Sequence, residues 1–156
     1  MEPELVWLGP DDAEGISEMA RGLFFDVYRY ETRDLVEDFL EEHQSPDAIR
    51  RQMSDGMRYA HIAIDGEVVG YTAFGPSGDG VELSKLYILD GFRGRGIGGA
   101  VLDAVDRYAA DIGAGLIWLE VNSRNVGAVR LYGRHGYVPT GEMRFHRMVM
   151  VKRLSP

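Results

Sequence analysis

The run from Val81 to Val121 constrains this chain more than any other segment. Val81 to Leu89 reads as a strand and Gly91 to Gly99 as a turn crowded with glycine and arginine. A helix follows to about Asp111, with Val101, Leu102, Val105, Tyr108 and Ala109 at helical spacing, and 116–121 (LIWLEV) reads as a second strand. A strand–helix–strand run brings the chain back in the direction it left, so its two strands must pair in parallel. Upstream the opposite constraint holds. Residues 57–64 (MRYAHIAI) and 67–74 (EVVGYTAF) are apolar or alternating runs joined by Asp65-Gly66, a two-residue hairpin signal, and 75–80 read as a loop. The first four strands therefore form an antiparallel meander that switches to a parallel pair. The expected class is α/β of mixed α+β character: a mixed, mostly antiparallel central sheet of about seven strands with helices on both faces.

The other elements fill in around this frame. Residues 4–8 (ELVWL) read as a strand, and Pro10-Asp11-Asp12 starts a helix carrying Ile16, Met19, Ala20 and Leu23. The aromatic stretch Phe24 to Tyr30 either continues that helix or forms a loop. A second helix is expected over 32–43, and a third from the cap Ser45-Pro46-Asp47 to about Gly56. Residues 125–135 form a helix stopped by Gly136, and two strands complete the tail. Alternation along 82–88 puts Glu82, Ser84, Leu86 and Ile88 on one face and Leu83, Lys85 and Tyr87 on the other.

Composition removes several function classes. The chain has 156 residues and neither repeat nor linker, so one domain over 1–156 is expected. Its 17 basic and 25 acidic residues give a net charge of −8, the wrong sign for a general nucleic-acid binder. There is no cysteine, which excludes disulfides, thiolate zinc sites and cysteine nucleophiles. His43, His61, His135 and His146 lack metal-ligand spacing, so no metal is expected. No G-x-S-x-G elbow is present. No apolar run approaches the roughly 20 residues of a membrane span, and the first residues carry acids where a signal peptide carries bases. A cytoplasmic protein with no membrane partner is the expectation.

The chemistry concentrates in Arg93-Gly94-Arg95-Gly96-Ile97-Gly98-Gly99, directly after the strand residues Leu86, Tyr87 and Ile88. Glycines let a ligand approach the backbone, and the first amides of the following helix are free to bind a phosphate. Arg93 and Arg95 add charge suited to a pyrophosphate. The loop also satisfies G-x-G-x-x-G, the dinucleotide fingerprint. Against that reading, about half the chain precedes the loop, and only one further crossover follows it. The acid expected some 20 residues on is displaced: Ala114 sits near the place and Glu120 comes late.

Arg93-x-x-Gly96-x-Gly98 resembles the R/Q-x-x-G-x-G/A motif of the GCN5-related N-acetyltransferases (GNAT). The resemblance extends to Asn125-x-x-Ala128-x-x-x-Tyr132, which is similar to the family's N-x-x-A-x-x-x-Y helix, and to Gly136-Tyr137 before the next strand. Within the family, the start of the chain and the segment Glu82 to Ile88 resemble the polyamine acetyltransferases of the PaiA type.

The resemblance implies acetyl-CoA as co-substrate and direct attack by a primary amine within a ternary complex. It assigns the backbone of Leu86, Tyr87 and Ile88 to the pantetheine arm, Arg93 to Gly99 to the pyrophosphate, and Arg134 to the ribose phosphate or adenine. Asn125 positions the cofactor amide or a water, although its place also suits a helix cap. Tyr132 is the general-acid candidate, two helical turns from Asn125 on nearly the same face, and it could instead be packed core. Glu82 is the first candidate for the base and Glu120 its rival. Tyr28, Tyr30 and Glu31 are candidates for binding a small cationic amine such as a polyamine. A protein N-terminus, a lysine or an aminoglycoside is the alternative acceptor, and a non-catalytic acetyl-CoA sensor the alternative role. The tail strands could pair two copies into a homodimer.

Overall fold

Asp65 and Gly66 both take positive φ, 50° and 84°, the type I′ geometry that lets two right-twisted strands run on without splaying. They join β2 (Arg58–Ile64) to β3 (Glu67–Ser77). The computed structural model describes residues 2–27, 33–144 and 147–154. In chain order, β1 (Glu4–Leu8) is followed by α1 (Ala13–Val27), α2 (Arg33–Gln44) and α3 (Pro46–Ser54), and then by β2 and β3. After these come β4 (Gly80–Ile88), α4 (Ile97–Asp111), β5 (Leu116–Asn122), α5 (Val126–Arg134), β6 (Val138–Arg144) and β7 (Arg147–Arg153). The seven strands form one sheet in the order β1-β2-β3-β4-β5-β7-β6. Every neighbouring pair is antiparallel except β4 with β5. No helix among the described residues is long and apolar enough to cross a membrane.

Helices cover both faces. On one, Ala13, Ile16, Ala20 and Leu23 of α1 and Ile49 of α3 pack on Tyr59, Tyr71 and Ala73. On the other, Leu102, Val105 and Ala109 of α4 and Tyr132 of α5 pack on Phe74, Leu83, Ile117, Leu119 and Val121. The caps follow the sequence: Ser45 Oγ accepts from the Ala48 amide and Asn125 Oδ1 from the Ala128 amide, both at 3.2 Å.

Two sequence expectations need correction. Gly75, Pro76 and Ser77 are not loop: they pair with Glu82, Val81 and Gly80, and the turn shrinks to Gly78-Asp79. Proline is tolerated there because β2 begins at Arg58, opposite Phe74. Past that point β3 has a neighbour on one side only, so the missing N–H of Pro76 breaks no ladder. The second correction is the alternation along β4. Ala73 faces Lys85 while Phe74 faces Leu83, so Ser84 is a bulge with no partner of its own. The bulge moves Glu82 onto the face of Lys85 and Tyr87. It leaves Leu83 with Leu86 on the α4 side, where both join the same core.

Candidate active site

β4 and β5 pair at only two positions, Val81 with Ile117 and Glu82 with Trp118. Beyond Glu82 the strands diverge, and the sheet opens between two elements whose backbones would otherwise bond to each other. Past this point a cavity of about 820 Å3 opens beside β4, walled by the end of β4, the start of α4 and the inner side of α5. Ligands of open α/β sheets bind in such crevices beyond the carboxyl ends of parallel strands.

The loop from Phe92 to Gly99 forms the cavity's charged end. Gly94 and Gly96 have φ of 78° and 81°, a left-handed backbone that any other L-residue adopts at a cost. Gly96 is the N-cap of α4 and has no side chain to close the helix, so the first-turn amides of Ile97, Gly98 and Gly99 are not capped by it. Space is not what requires Gly94 and Gly96, since a Cβ at either would meet nothing within 4 Å. At Gly98 a Cβ would lie 2.8 Å from Leu131 Cδ2, the end of a side chain that would have to turn aside to admit it. Arg93 braces the loop, with Nε donating to the Ile88 carbonyl and Nη1 to Asp90 Oδ1, both at 3.0 Å.

Of the twelve residues expected from the sequence to hold the cofactor, eleven line this cavity. The twelfth, Arg95, stacks its guanidinium over Phe92, 5.3 Å from the ring centroid. Tyr132, buried to 8% exposure, forms part of the wall and packs edge-on against Tyr137 with centroids 5.8 Å apart. Asn125 caps α5, as one of its two readings expected, and also lines the cavity. Sequence reasoning missed Arg124 and Arg130, which line the cavity with Arg93 and Arg134. The signal was present: Arg130 and Arg134 stand four apart on one helix face, and Arg124 comes two residues after β5. Four arginines around one cavity, in a chain of net charge −8, make a local anion site.

The two candidate acids lie on the opposite sheet face from α4, at the closed end of the split. Glu82 is half-buried in the last β4–β5 pair. Burial raises its carboxyl above the usual range, and the charge of Glu120 adds to this, while Arg144, Lys85 and Arg147 pull it down. Glu120 is tied to both tail strands: Oε1 accepts from Arg144 Nη1 at 2.9 Å, and Oε2 lies 3.5 Å from Arg147 Nε. Neither acid lines the cavity. Tyr28, Tyr30 and Glu31 lie outside the described residues.

The sequence profile of the Acetyltransferase (GNAT) family matches residues 24–137, and the chain belongs to that family. An uncharacterised N-acetyltransferase of Mycobacterium tuberculosis is 43% identical over 82 residues, 52% of this chain and 53% of that protein. The chain thus spans about half the length of that relative. The spermine/spermidine N(1)-acetyltransferase of Bacillus subtilis is 32% identical over 100 residues, 58% of this chain and 66% of that protein. Among solved structures, the PaiA N-acetyltransferase of Thermoplasma acidophilum, in complex with coenzyme A, superposes with a TM-score of 0.85 at 19% identity. It covers 99% of this chain and 100% of that one. At that identity the likeness is one of fold.

Proposed function

We propose that this chain transfers the acetyl group of acetyl-CoA to a primary amine by direct attack in a ternary complex. The observation that carries the reading is the cavity beside β4, which has an arginine-rich end, uncapped helix amides and a buried tyrosine in one wall. Its donor set suits a coenzyme with several phosphates. Amides of the α4 first turn and Arg93 would hold the pyrophosphate, and Arg124, Arg130 and Arg134 would serve the remaining phosphate. The backbone of Leu86 to Ile88 has no β5 partner and, apart from the Ile88 carbonyl that accepts from Arg93 Nε, is available to bond an extended arm.

When bound, acetyl-CoA supplies an activated thioester and a thiolate leaving group. The amine arrives mostly protonated, since an alkyl ammonium titrates near 10.4. Glu82 takes that proton, directly or through one water. It is favoured over Glu120 because Glu120 is already engaged by two arginines. Tyr132 Oη gives its proton to the leaving sulfur and is reprotonated by the second hydrogen that the nitrogen sheds as the amide forms, and Asn125 fixes the helix that carries it.

A small cationic amine, such as a polyamine, is the acceptor we favour. The similarity to the B. subtilis spermine/spermidine enzyme supports it. The streptothricin acetyltransferase of Streptomyces lavendulae, 28% identical over 97 residues, 61% of this chain and 51% of that protein, keeps a streptothricin acceptor in the comparison. The test is calorimetric titration with acetyl-CoA, CoA and NADH, followed by turnover on panels of polyamines, peptides and aminoglycosides. Binding of acetyl-CoA with acetylation of spermidine or spermine is expected. Binding without turnover on any amine would favour a sensor. NADH binding without acetyl-CoA binding would overturn the reading altogether.

A further inference from the structure

Lys85 is one of only two lysines among the 17 basic residues of the chain, and it is 5% exposed. Its Nζ meets three oxygens and no carboxylate among its hydrogen bonds: the His43 carbonyl and Gln52 Oε1, each at 2.8 Å, and the Tyr59 hydroxyl. Gln52 Nε2 donates to the same His43 carbonyl at 3.0 Å, which fixes the amide with Oε1 towards the lysine, and the Tyr59 hydroxyl also reaches that Oε1.

The proton count of this cage is unusual. As an ammonium, Lys85 donates to all three oxygens while Tyr59 donates to Gln52. As a neutral amine it keeps its donations to His43 and Gln52, and the Tyr59 hydroxyl rotates to donate to the nitrogen lone pair. Both states are fully hydrogen-bonded, and they differ by the rotation of one hydroxyl. A buried lysine needed only as a fixed charge is ordinarily matched by an acid, and this cage supplies neutral oxygens.

The Ser84 bulge puts Lys85 on the same sheet face as Glu82. We infer that Lys85 is the positioning residue for Glu82: a cation the cage can hold or release, whose charge governs how readily Glu82 takes up a proton. Charged groups reach Glu82 from each strand around it, namely Lys85 on β4, Glu120 on β5, Arg144 on β6 and Arg147 on β7. Tyr59 on β2 faces Glu82 and is pushed further from ionising by it. From α2, His43 feels Lys85, Arg147, Glu42 and Glu120, and burial holds it neutral over a wider range. Of the cations, the two arginines stay charged at every working pH. Burial lowers Lys85 to about 7, with Glu82 opposing the shift, which leaves it as the member that changes charge near neutrality. The catalytic consequence rests on the reading of Glu82 as the base; the coupling of the two charges does not.

Two lysines per chain make the test direct. The full-length protein labelled with 13C-lysine gives two side-chain resonances, assigned with Lys152→Arg. Lys85 is expected to titrate near 7, and by reciprocity to move down by about one pH unit in Glu82→Gln. Titration above 9, titration below 5, or no movement in Glu82→Gln would overturn the inference. In kinetics, Lys85→Met should shift the ascending limb of the kcat profile up by about one pH unit, and Lys85→Arg should not. A limb left in place by Lys85→Met would also overturn it. If Glu82→Gln acetylates as fast as wild type, the base reading fails on its own and the two-resonance titration still decides the coupling. The same titration decides if Lys85→Met does not fold.

Discussion

In the proposed mechanism Tyr132 is the residue whose replacement would separate binding from chemistry. Tyr132→Phe keeps the buried ring and its edge-on contact with Tyr137, so coenzyme affinity should stay within about twofold. kcat should fall by about 10²-fold, the lower end of what one general acid contributes, as read by calorimetry and steady-state rates on the same preparation. Lys85 makes a prediction about stability. Its pKa is lower folded than unfolded, so between pH 7 and about 10 the unfolded chain binds the extra proton, and stability rises with pH. Relative to Lys85→Met, wild type should gain up to about 1.4 kcal/mol per pH unit across that window, and denaturant melts at three pH values measure it. The place of Tyr132 in the cavity wall was legible because Asn125-x-x-Ala128-x-x-x-Tyr132 resembles the family's helix motif; helical spacing alone would equally have read it as packed core. The partners of Lys85 were not, because Gln52, Tyr59 and His43 come from α3, β2 and α2, and no local period links them.

At the scale of elements, the close approach of α4 and α5 holds the cavity in shape. Gly98→Ala sets a methyl 2.8 Å from Leu131 Cδ2. Leu131 must turn aside to admit it, at a cost of about 1 kcal/mol, and because Leu131 lines the cavity the change should weaken acetyl-CoA binding. Gly96→Ala meets no neighbour and pays only for its left-handed backbone, about 1–2 kcal/mol. Thermal melts with and without acetyl-CoA separate the intrinsic cost of each change from its effect on binding, since both positions line the cavity. The strand–turn–helix–strand order was readable because periods of 2 and 3.6 alternate clearly along 57–121. What was hidden is the irregularity. A bulge at Ser84 depends on how Ala73 and Phe74 pair across the sheet, and a strand continuing through Pro76 depends on where β2 begins. Both are facts about a neighbouring strand, and neither leaves a mark in the local sequence.

For the molecule as a whole, charge is divided. The net charge of −8 spreads over the surface, while Arg93, Arg124, Arg130 and Arg134 gather at one cavity. Acetyl-CoA binding should therefore weaken as salt rises, because screening acts over about 10 Å at 0.1 M. Arg130→Gln should cost about tenfold in affinity and flatten the salt dependence, as read by titration at two ionic strengths. The sheet order β1-β2-β3-β4-β5-β7-β6 was only half legible. A hairpin signal and a crossover fix their own strands, but nothing in residues 138–153 says that β7 lies between β5 and β6.

The two lysines have one more consequence. Any protein that holds an acyl thioester risks modifying its own amines, and the attacking species is always the neutral, accessible nitrogen. Here one ε-amine is enclosed by Gln52, Tyr59 and the His43 carbonyl, and the other, on Lys152, is bound to Asp106 Oδ2 at 2.7 Å. Arginine carries the other 15 positive charges and is inert to acyl donors at neutral pH. Days in excess acetyl-CoA should leave the intact mass free of lysine acetylation, and amine-directed dyes should mark chiefly the α-amino group rather than side chains.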